Sequence, residues 1–166
     1  MNEARAVERA YVALGSNLDE PQRQIRLAFE ALGRIPDTRL LRRSRLYRSA
    51  PWGITEQPAF VNAVAELATA LGPRELLEAL LAIEREQGRR RDGMRWGPRT
   101  LDLDLLIWGG MQSTQPGLEL PHPRIADRAF VLVPLAELDA DLVIPGVGIV
   151  RDLLARVDAN ECVPID

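Results

Sequence analysis

Two segments of the chain place apolar side chains at the three- and four-residue spacing of an amphipathic helix. The first segment has Ile25, Ala28, Phe29, Leu32 and Ile35, and the second has Leu76, Leu77, Leu80 and Ile83. Asp19 is placed to cap the first helix, Pro73 to open the second and Gly88 to end it. We therefore expect two helices that each turn one apolar face toward a core.

Four other segments show the patterns of β-strands, namely residues 11–14, 39–47, 60–67 and 100–108. The first is a short apolar run, which we expect to end in a turn at Gly15, Ser16 and Asn17. The third alternates, with Val61, Ala63, Ala65 and Leu67 on one face and Phe60, Asn62, Val64 and Glu66 on the other. Such alternation predicts a strand with two chemically different faces.

The order of these elements, β-α-β-β-α-β, is typical of the ferredoxin-like fold. Residues 85–99 have no periodicity and should form a loop. After the last strand we expect a helix from Asp127 to residue 138, bent or cut at Pro134, then a short strand at 143–144 and a helix at 150–157. The sequence thus predicts one α+β domain over residues 1–166, a ferredoxin-like core with additional C-terminal helices.

The charge of the chain narrows the classes of partner. A net charge of −3 argues against a nucleic-acid footprint spread over the whole surface. The chain contains no lysine, so all 21 basic residues are arginine. Coding bias explains this most simply, yet every cationic contact will be planar and able to bind phosphate through two hydrogen bonds.

The single cysteine and the apolar runs indicate where in the cell the protein acts. Cys162 has no second cysteine to pair with, and the first ten residues lack the apolar centre of a signal peptide. No apolar run approaches the roughly 20 residues of a membrane helix. We expect a cytoplasmic protein with no membrane partner.

Asp102 and Asp104 are the sharpest chemical feature, because leucines at 101, 103 and 105 would leave both carboxylates on one strand face. Residues two apart on a strand lie roughly 6.5–7 Å apart, which suits a pair of metal ions about 4 Å apart. With no His or Cys nearby, oxygen ligation favours Mg²⁺ or Mn²⁺ over zinc. An isolated D-x-D motif is weak, and the alternative is a solvated face of an edge strand.

An arginine- and glycine-rich segment just upstream strengthens the metal interpretation. It contains Arg89, Arg90, Arg91, Arg95 and Arg99 among Gly88, Gly93 and Gly97. Guanidinium groups beside a dicarboxylate suit a triphosphate, whose charge the arginines and metal would share. The glycines would let the segment close over a substrate. Simple Arg–Asp ion pairs are the alternative, although exposed pairs contribute only about 0–1 kcal/mol each.

An aromatic group suggests a second substrate. Two aromatic faces can sandwich a flat heterocycle, and an Asn amide offers one donor edge and one acceptor. The candidates are Trp52, Phe60, Trp96 and Phe130, with Asn62 on the same strand face as Phe60. Phe60 and Phe130 could equally be core residues. His122, the only histidine, lies between two prolines and suits a phosphate contact.

Five blocks carry a resemblance to a known family: YVALGSNL, YRSAPWG, QPAFVNAV, RWGPRTLDLDLL and PHPRIADRAFVLVPL. Over about residues 11–142 the chain resembles the 6-hydroxymethyl-7,8-dihydropterin pyrophosphokinases of folate synthesis. This resemblance implies transfer of the β,γ-pyrophosphoryl group of ATP to the hydroxymethyl oxygen of the pterin, with release of AMP. It also implies that the chain acts on these two small molecules, and we expect a monomer without nucleic acid.

The resemblance also implies roles for individual residues. Asp102 and Asp104 would ligate two Mg²⁺ ions. The sequence supplies no clear dedicated base, and our own hypothesis is that Asp104 or a metal-bound hydroxyl accepts the alcohol proton. On the ATP side would lie Glu84, Arg89, Trp96, Arg99, His122 and Arg128, with Arg89 and Arg99 on the transferred phosphates. Phe60 and Phe130 would sandwich the pterin, Asn62 would bond its edge, and Trp52 and Gly53 would lie on a nearby loop.

Two other classes remain open from the residues alone. A nucleotidyltransferase also pairs a Gly-Ser turn with Asp-x-Asp, but Gly15-Ser16 lies far upstream of Asp102 in this chain. An RNA-binding module on the same sheet would suit the arginine-rich segment. The acidic pair, the negative net charge and the lack of an RNP aromatic motif argue against it.

Overall fold

The computed structural model describes residues 6–17, 20–49, 59–89 and 101–165. Its strands in chain order are β1 (Glu8–Ser16), β2 (Thr38–Arg43), β3 (Tyr47–Ser49), β4 (Phe60–Thr69), β5 (Asp102–Trp108), β6 (Ser113–Gln115), β7 (Leu118–Leu120), β8 (Val143–Ile144), β9 (Gly148–Ile149) and β10 (Cys162–Pro164). The helices are α1 (Pro21–Gly33), α2 (Pro73–Arg89), α3 (Ala129–Asp139) and α4 (Val150–Leu154), with 3₁₀ turns at Ile125–Asp127 and Ala159–Glu161.

One antiparallel sheet organises these elements. Its strand order is β10-β3-β4-β1-β5, with β2 pairing to the same strand, β4, as β3 does. β1 therefore lies between β4 and β5, as the predicted β-α-β-β-α-β order requires. β6–β7 and β8–β9 form separate two-stranded hairpins.

The two faces of the sheet carry different cores. The helices α1 and α2 cover one face, where both predicted helix stripes meet Val61, Ala63, Ala65 and Leu67 of β4. The other face is covered in part by α3 and α4, which pack on Tyr11, Ala13, Val64 and Leu106. Strand alternation thus divides the apolar residues between two layers. None of the described helices is both long and apolar enough to span a bilayer.

Several predicted boundaries were wrong for local reasons. β1 continues through Gly15 and Ser16, because both residues pair with β4. Gly88 does not end α2, which continues to Arg89. Residues 85–89, which we expected to begin the loop, are therefore helical. The expected strand 39–47 is broken after Arg43, where Ser44 donates its N–H to Val64 O and its Oγ accepts the N–H of Val64, both at 2.9 Å.

The C-terminal helices also differ from expectation. Asp127 lies in a 3₁₀ turn, and α3 begins after Arg128. Pro134 neither ends nor cuts α3, which continues to Asp139 with the proline buried inside it. A proline inside a helix removes one backbone donor and crowds the carbonyl four residues earlier, and burial of the surrounding apolar side chains can offset these costs. The last helix, α4, ends at Leu154, earlier than expected.

A buried carboxylate joins the sheet to α3. Glu66 on β4 is 1% exposed, and its oxygens accept hydrogen bonds from Arg42 Nε at 2.6 Å, Tyr11 Oη at 2.8 Å and Arg9 at 2.9 Å. Arg42 also donates to the carbonyl of Leu138 in α3, at 2.6 Å. Burial alone would raise the pKa of Glu66, but the hydrogen bonds from Arg42 and Tyr11 outweigh it and lower that pKa.

Replacement of Glu66 by Gln should lower the free energy of unfolding at pH 7 by about 1–3 kcal/mol, because two arginines lose a buried charged acceptor. The folded-state pKa of Glu66 is lowered, so its charge stabilises the fold fully above the unfolded pKa of about 4.3. That contribution is lost as the pH falls through the folded pKa, so the difference between the proteins should shrink below pH ~4.

Urea unfolding at pH 7 and at pH 3.5 measures this difference. Glu30→Gln is the matched control, because Glu30 is exposed and 4.0 Å from its partner, Arg34. A Glu66→Gln effect as small as that of Glu30→Gln, or one that grows in acid, would contradict the assignment.

Candidate active site on the open half of the sheet

A pocket of about 530 Å³ lies on the sheet face that α3 covers only in part. It is lined by Ala13, Leu14, Gly15, Ser49, Phe60, Asn62, Asp102, Asp104, Arg124, Asp127, Arg128 and Phe130. Strands β1, β4 and β5 supply the floor, and the turn before α3 supplies one wall. The pocket therefore brings together residues that are far apart in the sequence.

The floor of the pocket is lowest at its centre, because β1 carries small side chains there. Gly15 pairs with Asn62 on one side and Asp102 on the other, and Ala13 pairs with Asp104. Neighbouring strands lie about 4.8 Å apart, so the amide of Asn62 and the carboxylate of Asp102 start from backbones roughly 10 Å apart. A ligand can cross the sheet between them over Gly15.

A glycine is required at position 15 because the side chain of Asn62 approaches its backbone closely. A methyl group added to Gly15 would lie 3.2 Å from Nδ2 of Asn62, closer than ordinary van der Waals contact. The absent side chain therefore allows the Asn62 amide to lie across β1. This is a signal that the sequence does carry, although we interpreted Gly15 as part of a turn.

The acidic side of the pocket follows the predicted alternation. Leu101, Leu103 and Leu105 are buried, while Asp102 and Asp104 line the pocket. No cluster of three or more His, Cys, Asp or Glu side chains suited to a metal occurs among the described residues. Two carboxylates facing an open pocket suit Mg²⁺, which binds through one or two carboxylates and takes its other oxygens from phosphates and water.

The opposite side of the pocket offers a flat polar surface. Ser49 Oγ donates to Asn62 Oδ1 at 2.5 Å, and this buried contact fixes the orientation of the amide. The N–H groups of Asn62 have no partner among the residues that the structure describes and are left for a ligand. Phe60 and Phe130 are both half-buried and both line the pocket, rather than being core residues only.

The turn before α3 brings cationic groups to the wall of the pocket. The guanidinium carbon of Arg128 lies 5.5 Å from the ring centroid of Phe130, a cation–π contact. Arg124 Nε lies 3.2 Å from Asp127 Oδ2. Sequence reasoning missed Ser49, Arg124 and Asp127 as pocket residues, because only the strand pairing and the turn bring them to this surface.

His122 and Glu84 each accept a hydrogen bond from a backbone N–H, and neither side chain lines the pocket. His122 Nδ1 accepts the N–H of Arg124 at 3.1 Å, so in the neutral ring Nε2 carries the proton. Burial lowers the pKa of His122, although the nearby charge of Asp104 works against that shift. Glu84 of α2 accepts the N–H of Leu103 at 2.7 Å and does not line the pocket.

Five predicted site residues cannot be placed by their side chains. Trp52, Gly53, Trp96 and Arg99 lie outside the described residues. Arg89 ends α2, and its side chain also lies outside the described part. Their roles stay predictions.

Comparison with known proteins decides the family. The model of the family described as 7,8-dihydro-6-hydroxymethylpterin-pyrophosphokinase, HPPK, matches residues 11–140. The chain belongs to the HPPK family. The 2-amino-4-hydroxy-6-hydroxymethyldihydropteridine pyrophosphokinase of Pseudomonas aeruginosa is 54% identical over 149 residues, which are 90% of this chain and 91% of that protein. The Haemophilus influenzae protein of the same name is 42% identical, over 95% of this chain and 98% of that protein.

Solved structures show the same fold. The crystal structure of wild-type Plasmodium falciparum HPPK-DHPS matches with a TM-score of 0.71 at 14% identity, over 93% of this chain. A second structure of that protein, with pterin and p-hydroxybenzoate, gives 0.71 at 13% identity. This chain spans 42% and 44% of those longer chains. The α+β fold predicted from the sequence is confirmed as the HPPK fold.

Gly15→Ala should weaken binding of the pterin, because the new methyl group displaces the Asn62 amide. We expect KM for the pterin to rise about tenfold, which corresponds to ~1.4 kcal/mol of binding free energy. Steady-state kinetics measures KM, and thermal unfolding measures any change in the stability of the fold.

Gly33→Ala is the matched control. A methyl group at Gly33 meets its nearest atom at 4.0 Å, so both substitutions remove the freedom of a glycine but only one crowds the pocket. An unchanged KM in Gly15→Ala would contradict the role given to that close approach.

Proposed function

We propose that the pocket holds the pterin between Phe60 and Phe130, and ATP at Asp102 and Asp104, with Gly15 beneath the reacting atoms. The overall reaction follows from the family. The chain is an ATP-dependent diphosphokinase that transfers the pyrophosphoryl group of ATP to 6-hydroxymethyl-7,8-dihydropterin, a step of folate biosynthesis. The observation that carries the proposed arrangement is the pairing of Gly15 with both Asn62 and Asp102.

The pterin side of the proposal is supported by shape and hydrogen bonding. Phe60 and Phe130 enter the pocket from a strand and from a helix, so a flat ring can stack between them. Asn62 has its Oδ1 bound to Ser49, so it presents N–H donors to the ring edge. A pterin carries ring nitrogens and a carbonyl that can accept such bonds.

The nucleotide side is supported by charge. We propose that Asp102 and Asp104 hold two Mg²⁺ ions, with ATP oxygens and water as the remaining ligands. When bound, the ions would neutralise the phosphates and stabilise the departing AMP oxygen. The structural comparisons support small-molecule substrates, and the identity and number of the metal ions belong to this proposal.

Arg128, from the wall of the pocket, and His122, which does not line it, are proposed to bind phosphate. Arg128 is held over the Phe130 ring, so its guanidinium would reach the phosphates without losing the ring contact. Neutral His122 would donate one hydrogen bond through Nε2 without adding a full charge. Arg89 and Arg99 are proposed to bind the transferred phosphates, and Glu84 would act indirectly by holding the backbone of β5.

One observation favours the nucleotidyltransferase alternative, but the family match excludes it. Gly15 and Ser16 lie far from Asp102 in sequence, yet Gly15 pairs with Asp102 because β1 and β5 are neighbours. Sequence distance was therefore a poor argument against that class. The family match is what decides between the two reactions.

The remaining expectations about partners and location stay proposals. We propose a monomer that acts in the cytoplasm without nucleic acid or membrane, as one domain over residues 1–166. The domain proposal is supported by β10, near the C-terminus, which pairs with β3 at the edge of the main sheet.

Asp102→Asn and Asp104→Asn should each reduce kcat by about 10³-fold or more, because the loss of a charged ligand weakens metal-assisted stabilisation of the phosphates. Thermal unfolding without metal should change little, since both carboxylates face the pocket. Calorimetry should show weaker Mg²⁺ binding in the presence of a non-hydrolysable ATP analogue.

Asp152→Asn, an exposed acid on α4, is the control for general loss of charge. Near-normal turnover and Mg²⁺ affinity in either pocket variant would refute the metal assignment. That outcome would not affect the assignment of the family reaction, but it would mean that other residues bind the metal.

A further inference from the structure

A second cavity, of about 270 Å³, lies at the sheet edge where β2 gives way to β3. It is lined by Arg26, Phe29, Arg43, Ser44, Arg45, Leu46 and Glu137. None of these residues lines the pocket that holds Asp102 and Asp104. The strands β4 and β1 lie between this edge and β5, so the cavity is separate from the proposed active site.

The cavity exists because the edge strand is interrupted. β2 ends at Arg43, and β3 begins at Tyr47. Between them Ser44 bonds β4 through both its N–H and its hydroxyl, which fixes the backbone of the link. The helix α1 closes one side through Arg26 and Phe29, and α3 closes another through Glu137.

The charge around this cavity is unbalanced. Glu137 is the only carboxylate among its lining residues, and it already accepts the backbone N–H of Arg45 at 3.1 Å and the Tyr47 hydroxyl at 2.5 Å. The Arg45 side chain lies 3.7 Å from the same carboxylate. Within the described ranges, neither Arg26 nor Arg43 has a carboxylate at ion-pair distance. Two exposed arginines therefore line this cavity, and neither is ion-paired to a described residue.

We propose that this cavity binds a small phosphate-bearing anion through Arg26 and Arg43. A guanidinium can give two parallel hydrogen bonds to phosphate oxygens, so two arginines that line one cavity suit such an anion. Arg43 is held over Phe29, with 5.4 Å from its guanidinium carbon to the ring centroid, which limits the orientations it can take. The volume suits phosphate or pyrophosphate, or the phosphate end of a mononucleotide.

Amide NMR of the full-length, ¹⁵N-labelled chain in Mg²⁺-free buffer tests the proposal. Phosphate, pyrophosphate and AMP are titrated separately, with NaCl at matched ionic strength as the fourth arm. We expect saturable shifts at Phe29, Arg43, Arg45 and Leu46 with at least one of the three phosphate compounds and not with NaCl. The compound that binds most tightly identifies the source of the phosphate group.

Two double variants distinguish binding at this cavity from general electrostatic attraction to the positive surface. Arg26→Gln with Arg43→Gln should weaken this binding tenfold or more while leaving turnover unchanged. Arg23→Gln with Arg39→Gln removes the same charge from α1 and β2 outside the cavity lining and should change the affinity by no more than about twofold. The single variant Arg26→Gln should still weaken binding severalfold if the double variant folds poorly.

Three results would overturn the proposal. They are the absence of saturable shifts with all three phosphate compounds, equal shifts with NaCl, and equal weakening by the two double variants. Each is independent of whether the pterin reaction occurs, so the proposal can fail while the assignment of the active site stands.

Discussion

The two-sided pairing of β1 is the constraint on which the site depends. β1 binds β4 along one edge and β5 along the other, so its register fixes which side chains meet on the sheet. Gly15 stands at the crossing of the two pairings, with Asn62 and Asp102 as its neighbours. A shift of one residue in either pairing would turn these side chains to the opposite face.

The same constraint explains why the site is open. On the face covered by α1 and α2, β1 and β4 carry Val12, Leu14, Val61 and Ala63, all buried in one core. On the opposite face α3 packs over only part of the sheet, and the Glu66–Arg42 pair ties its end to β4. The uncovered part keeps Ala13 and Gly15 as a low floor, so the substrates can lie where a helix would otherwise pack.

Regular alternation was predictable from the sequence, because it is a local property. The leucines at 101, 103 and 105 and the apolar set of β4 were assigned to the correct face, and with them the pocket-facing positions of Asp102, Asp104 and Asn62. The physical reason is that neighbouring strand residues point to opposite faces whatever the tertiary structure.

Features that depend on distant partners were not predictable in this way. The continuation of β1 through Gly15 requires β4 and β5, and the break after Arg43 depends on the bonds between Ser44 and Val64. The cavity between Arg26 and Arg43 needs α1 and β2 to be placed side by side. In each case the deciding contact joins segments that no short sequence pattern connects.

The most direct test of the central claim is the fate of individual phosphorus atoms. The protein is incubated with Mg²⁺, 6-hydroxymethyl-7,8-dihydropterin and ATP labelled in separate reactions at the α- or the β-phosphate. Our account predicts that the β-label moves to the pterin and the α-label appears in AMP, only when the pterin and the metal are both present. Recovery of the β-label in ADP, or in free pyrophosphate with the α-label on the pterin, would contradict it.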